Sequence, residues 1–199
     1  MTKHRCAWVP PNDALYIAYH DEEWGIPVHN DHKLFEMLIL EGAQAGLSWK
    51  TILQKRKGYK EAFDHFDPQK IVAYDSDKIA ELLTNPEIVR NRLKISAAVT
   101  NARAMLSIQA APPGFSHYLW QFVNGQPVQN AWQRLEDVPT LTPESDAMSQ
   151  DLKKRGFKFV GSKICYAFMQ AVGMVNDHTT DCFRYSSIRR LSENRNRSE

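Results

Sequence analysis

The chain has 199 residues, 43% of them hydrophobic and 24% charged, with a formal net charge of +2 at pH 7. That length is ample for one buried core, and the balance is that of an ordinary globular protein. No apolar run approaches the roughly 18–20 residues of a membrane span, and the first residues, Met1 to Cys6, lack a signal-peptide stretch, so a cytoplasmic address is expected.

Helical signals dominate in chain order, and the expected fold is all-α. Asp31 is placed to cap a helix running to Ala45, and Ser48 one running to Arg56. Asp67-Pro68, Asn85-Pro86 and Thr142-Pro143 each set a capping residue before proline, a helix-start signature. From Glu87 to Ala110 the apolar residues Ile88, Ile95, Val99, Ala102 and Leu106 keep near-helical spacing, until Pro112-Pro113-Gly114 breaks the pattern. Ser116 starts a short helix through Trp120 and Val123, and Gly125 to Leu141 reads as a loop with at most a turn of helix. No β-hairpin signal occurs. Asp146 to Arg155 reads as a helix, residues 156–161 as a glycine-bounded connection, and Ser162 as the cap of a second helix to Val172 that Gly173 ends. From Ser186 the chain is polar and arginine-rich, and residues 186–199 are expected to be disordered.

Charge is unevenly spread. Between Leu152 and Asn176 there is no acid, while Lys153, Lys154, Arg155, Lys158 and Lys163 all fall there. This is either a solvated basic face or a phosphate-binding patch. Two helices joined by a tight turn would favour the second reading. The backbone N–H groups after Gly161 suit a phosphate, flanked by Lys158 and Lys163. An ordinary helical pair with exposed lysines satisfies the same spacing.

Cys6, Cys165 and Cys182 are too few for a disulfide framework and read as thiols or metal ligands. His178 and Cys182 are four apart, which places both on one face of a helix or compact turn; with Cys6 and His20 they would close a four-ligand site joining the two ends of the chain. Because Cys6 and His20 follow no short-spacing finger pattern, a few unrelated His and Cys residues are the more ordinary reading of the spacing alone. Leu34, Leu38, Glu41 and Ala45 share one helical face, so Glu41 stands where an apolar residue is expected. Either it reaches solvent at the edge of the stripe, or it is a buried carboxylate waiting for a ligand. Trp8, Tyr16, Tyr19, Trp24 and Trp49 form a dense aromatic set, which is either core or a stacking site for a flat cation.

Several strings occur together in order: Cys6-Ala7-Trp8, Leu15-Tyr16-Ile17-Ala18-Tyr19-His20-Asp21, Glu23-Trp24-Gly25, Leu40-Glu41-Gly42, Gln44-Ala45-Gly46-Leu47-Ser48-Trp49, and Lys153 to Gly161 continuing to Val175-Asn176-Asp177-His178. From Cys6 to Tyr185 the chain resembles the constitutive bacterial 3-methyladenine DNA glycosylases of the helix-hairpin-helix superfamily. The resemblance implies one glycosylase domain over residues 1–185, with the hairpin at about 146–172. It implies Cys6, His20, His178 and Cys182 as ligands of one structural Zn²⁺ clamping residues 6–20 to 178–182. Glu41 would be the base-recognising, catalytic carboxylate. Tyr16 and Trp49 would line the base pocket, with Tyr19 near and Trp8 and Trp24 in support. Gly46 and Leu47 would fill the gap left by an extruded nucleotide.

The resemblance further implies duplex DNA carrying alkylated bases as partner, no membrane, and a monomer. Related superfamily members carry an aspartate where this chain has Asn176, and Asp177 is expected to point elsewhere. With no lysine nucleophile evident, release of 3-methyladenine without strand cleavage is expected. The competing readings are a non-catalytic helix-hairpin-helix DNA-binding module, which would leave Glu41 and the aromatics as core, and a zinc-dependent hydrolase, against which a closed four-ligand site argues.

Overall fold

The computed structural model describes residues 3–195, and its regular structure is almost entirely helical. The helices are α1 (Ala14–Glu22), α2 (Asp31–Gln44), α3 (Trp49–Ala62), α4 (Pro68–Ile71), α5 (Ser76–Thr84), α6 (Arg92–Gln109), α7 (Phe115–Trp120), α8 (Pro143–Lys154), α9 (Ser162–Ala171) and α10 (Tyr185–Arg195). A two-residue strand β1 (Val128–Gln129) pairs in parallel with β2 (Val175–Asn176).

Local capping chemistry sets most helix starts. The Ser48 side chain accepts from the Thr51 N–H, and α3 then runs past Arg56 because Tyr59 carries its buried face onward. Thr142 and Ser145 form a reciprocal cap, with Pro143 in the first turn of α8. Two caps differ from expectation. Asn30 caps α2, its side chain accepting from Lys33, while Asp31 accepts from the Ser116 N–H at 2.8 Å and so ties α7 to α2. Asn85-Pro86 starts no helix. The Asn85 side chain turns onto the Glu87 N–H, and Asn91 caps α6 instead. Helices α1 and α5, absent from the expected set, are capped by Asp13 and Asp75.

Helix α2 occupies the middle of the molecule and touches α3, α6, α7 and α9. Leu34, Phe35, Met37, Leu38, Ile39, Leu40 and Ala43 are all buried, so the helix is apolar on most sides, as a core helix is. Glu41 is therefore enclosed too, at 3% exposure, and the reading in which it escapes to solvent at the stripe's edge is ruled out.

Helices α8 and α9 pack on each other across the connection at residues 155–161. The cap of α9 is Gly161 and not Ser162, which is the first helical residue; no side chain occupies the helix start. Phe157 and Val160 anchor the connection in the core, and the Ser149 hydroxyl donates to the Val160 carbonyl at 2.6 Å. Asn101 of α6 holds it from outside, donating to the Lys158 carbonyl at 3.1 Å and accepting from the Lys158 N–H at 2.7 Å. Gly173 ends α9 with φ of 72°, and a Cβ there would lie 2.5 Å from the backbone of Ile26 and Pro27, so both conformation and space require glycine.

The expectation of a disordered tail from residue 186 is corrected as far as residue 195, which belongs to α10. The reason is anchoring: Ile188 is fully buried, Ser192 is 8% exposed and accepts from the Gln129 amide, and the Asn176 amide donates to the Tyr185 carbonyl. Residues 196–199 lie outside the described residues.

Candidate active site and metal centre

A cavity of about 300 Å³ opens between the N-terminal segment, α2, α3, α9 and the 130–138 loop. Trp8, Tyr16, Tyr19, Trp24, Glu41 and Trp49 all line it. The aromatics interlock: Trp8 and Trp24 meet edge to face at 5.0 Å, and Tyr19 and Trp49 tilt together at 5.3 Å. Glu41 enters this enclosure from α2 with no hydrogen-bond partner among the described residues. Burial alone pushes its pKa up to about 8. Burial, and secondarily the nearby Glu41, also raises the Tyr19 hydroxyl well above its usual range. The indole N–H groups of Trp8 and Trp49 are buried without partners.

The structure adds residues that sequence reasoning missed. Gln170 and Ala167 face the cavity from α9, and Leu135 and Val138 from the loop. Asp177, expected to point away, lines the cavity as well. The two-residue strand accounts for the correction. Pairing with β1 turns Asn176 to Gln129 and the Tyr185 carbonyl, and the alternation of an extended backbone sends Asp177 to the other side. There its Oδ1 accepts from Asn130 at 2.7 Å and Trp132 at 2.8 Å, and its Oδ2 from Tyr166 at 2.6 Å and Gln170 at 2.8 Å. No local sequence signal distinguishes Asp177 from its neighbour; only the strand pairing does.

Beside the cavity, Cys6, His20, His178 and Cys182 gather into one buried cluster, their ligand atoms all within 4.8 Å of one another. The outer ring nitrogens are committed: His20 Nδ1 donates to Asp21 at 2.8 Å, and His178 Nε2 to the Trp24 carbonyl at 3.2 Å. Because these partners only accept, the lone pairs of His20 Nε2 and His178 Nδ1 face inward. Arg5 in turn grips Asp21 through two hydrogen bonds and holds its carboxyl down to about 2. Hydrogen bonding from Cys6 and the histidines pushes the Cys182 thiol down, and its neighbour Cys182 together with burial pushes Cys6 up. Two thiols and two oriented imidazoles, each steadied by an outer partner, make a site that could hold a metal ion. The centre and the cavity share a wall, since Trp24 lies 4.6 Å from the His178 ring and Trp8 5.3 Å from His20.

The residues expected at a DNA surface are exposed or backbone-presenting. Lys158 and Lys163 are exposed on either side of Gly161, and Leu47 is 39% exposed beside Gly46. Lys94 donates to the Ala43 and Ala45 carbonyls, and Gln44 reaches from the cavity to the Leu47 carbonyl. A Cβ on Gly42 would stand 3.2 Å from that of Phe159, so glycine lets the connection lie close against α2.

An acid-bearing aromatic cavity, walled by a metal-competent Cys/His cluster on a helical frame, defines a class that the comparisons identify. The profile of the family described as methyladenine glycosylase matches residues 8–185. DNA-3-methyladenine glycosylase 1 of Escherichia coli (strain K12) is 51% identical over 181 residues, 91% of this chain and 96% of that protein. A crystal structure of 3-methyladenine DNA glycosylase I superposes with a TM-score of 0.89 at 53% identity, covering 90% of this chain and 98% of the other. A variant of such an enzyme, crystallised in complex with 3-methyladenine, gives 0.87 at 38% identity over 90% and 96% of the two chains. The chain belongs to the methyladenine glycosylase family.

Proposed function

We propose that the protein is a base-excision repair glycosylase. It turns a 3-methyladenine nucleotide out of alkylated duplex DNA, seats the base in the cavity and hydrolyses its bond to deoxyribose. The observation that carries this reading is Glu41, a carboxylate without a partner inside an aromatic cavity large enough for a purine. A buried acid in that state is costly unless a ligand satisfies it, and a cationic methylated base does so. A base inside a duplex is out of reach, so extrusion must come first. Leu47, exposed between α2 and α3, would fill the gap.

The chemistry needs little acid–base help. Methylation at N3 leaves the base positively charged. When the bond from the sugar to N9 breaks, its electron pair passes to the base, which becomes neutral, and positive charge develops on the sugar. Water then adds to the sugar carbon and loses a proton to solvent. All acceptor positions of Asp177 are occupied by donors, so it has no lone pair left to take that proton. Tyr16, Tyr19 and Trp49 therefore act by stacking and Glu41 by charge recognition, with Trp8 and Trp24 behind them. No lysine lines the cavity among the described residues, which supports release without strand cleavage.

Residues 1–185 act as one catalytic domain, working as a monomer. Helices α8 and α9 serve as a helix-hairpin-helix, with the open start of α9 and Lys158 and Lys163 receiving a phosphate. Cys6, His20, His178 and Cys182 would hold one structural Zn²⁺: two thiols and two imidazoles are the donor set such an ion takes, and their ligand atoms all lie within 4.8 Å of one another. Such an ion, once bound, ties the chain's ends together and supplies no chemistry to the base. The test of the function is the product: methylated duplex DNA incubated with the protein yields free 3-methyladenine and an intact backbone. Failure to release any base would leave a DNA-binding module instead.

A further inference from the structure

Gln170 lines the cavity with an amide whose direction is dictated by a neighbour. It sits four residues after Tyr166 on α9, so both reach the same Asp177 oxygen. A carboxylate oxygen that already receives the Tyr166 hydroxyl can face only a donor, so the amide turns its Nε2 to Asp177 at 2.8 Å. Its Oε1 is thereby aimed away from Asp177. That oxygen has no partner among the described residues and is not sealed from the cavity that Gln170 lines. The cavity thus presents two kinds of acceptor: the Glu41 carboxylate from α2 and a neutral carbonyl from α9. Asp177 is itself locked by Asn130 and Trp132, which keeps the amide from rotating.

We infer that Gln170 is a specificity-determining residue that accepts a hydrogen bond from the exocyclic amine of the bound base, and that Asp177 is its positioning residue. The inference rests on the base-pocket reading above and deepens it. Glu41 answers the positive charge, which any N3-methylated purine carries in DNA. A fixed carbonyl discriminates among such purines. It accepts from a 6-amino group and meets the oxygen of a 6-oxo purine with repulsion, and a site built around one hydrogen bond rejects analogues that leave it unpaired.

The test uses the full chain and two free bases, 3-methyladenine and 3-methylhypoxanthine, which carry amine and oxygen at the same position. Dissociation constants are read from quenching of indole fluorescence. Wild type should prefer 3-methyladenine. Gln170→Met, similar in volume, should narrow that preference by about tenfold, the size of one neutral hydrogen bond. Asp177→Asn, which offers Gln170 an NH₂ and lets its amide turn over, should narrow it in the same direction. A purely structural role for either residue would weaken both bases alike and leave their ratio unchanged. An unchanged ratio in a Gln170→Met protein of wild-type melting temperature overturns the inference. No binding of 3-methyladenine by wild type would instead overturn the pocket assignment beneath it, so the two failures are distinct.

Discussion

Glu41 combines two costs that a folded protein normally avoids: a titratable group on a core helix, and no partner for it. The raised pKa makes both measurable. The unfolded chain gives up this proton near 4.5, whereas the folded protein keeps it to about 8. Between those values the folded state binds more protons, so Glu41 erodes stability as the pH rises through that window. Glu41→Gln should match wild type in urea unfolding near pH 5. By pH 8 to 9 it should be the more stable protein, by a few kcal/mol, and equal stability at both ends would mean that the carboxylate is better solvated than its burial indicates. The same variant should lose excision. A charge-assisted hydrogen bond is worth about 1.5–3 kcal/mol, so kcat/KM for 3-methyladenine release should fall roughly 10- to 100-fold with fold and non-specific DNA binding intact. Because kcat/KM reports the free enzyme's ionisations, the wild-type profile should climb toward pH 8, and the Glu41→Gln profile should lose that limb.

At the scale of elements, the connection between α8 and α9 is the piece most closely tied to its surroundings. Asn101 satisfies both backbone groups of Lys158 from another helix. Asn101→Ala would leave the part-buried Lys158 N–H and carbonyl without this partner, at up to about 1–3 kcal/mol each. Unfolding in urea should show that loss, and duplex binding should weaken with it because the connection loses its brace. Lys158 and Lys163 make the complementary case. They are exposed, so replacing both with alanine should leave the melting temperature alone. Binding to every duplex should weaken alike, with the salt dependence flattened by about one unit of slope per lost phosphate contact. An unchanged slope would move the DNA surface elsewhere.

Over the whole molecule, the Cys/His cluster joins segments more than 150 residues apart and stands back to back with the cavity through Trp8 and Trp24. Metal removal should therefore affect both. The protein as purified should carry about one zinc per chain by elemental analysis. Cys182→Ala should lose the ion and lower the melting temperature by roughly 10 °C or more. It should also raise KM, as the aromatic wall loses its support. Full zinc occupancy in both Cys6→Ala and Cys182→Ala would exclude this ligand set.

What the sequence by itself determined about this protein was whatever depends on local chemistry or on unusual strings of residues. The caps at Ser48 and Thr142, the break at residues 112–114 and the stop at Gly173 are written in a few neighbouring side chains. The four Cys/His residues and the aromatic set were singled out through resemblance; the structure gathers the first into a cluster that could hold a metal ion and the second around one cavity. Tertiary structure alone decided the rest. Asn85 carries a cap signal and spends it on a turn, while Asp31 caps a helix 85 residues further on. A polar C-terminal segment becomes α10 because one isoleucine finds the core. Asp177 enters the cavity because a two-residue strand pairs with a partner 47 residues away and thereby sets which of two adjacent side chains turns inward. Alternation along a strand is known from any sequence, but its phase is set only by the partner that the strand meets in space.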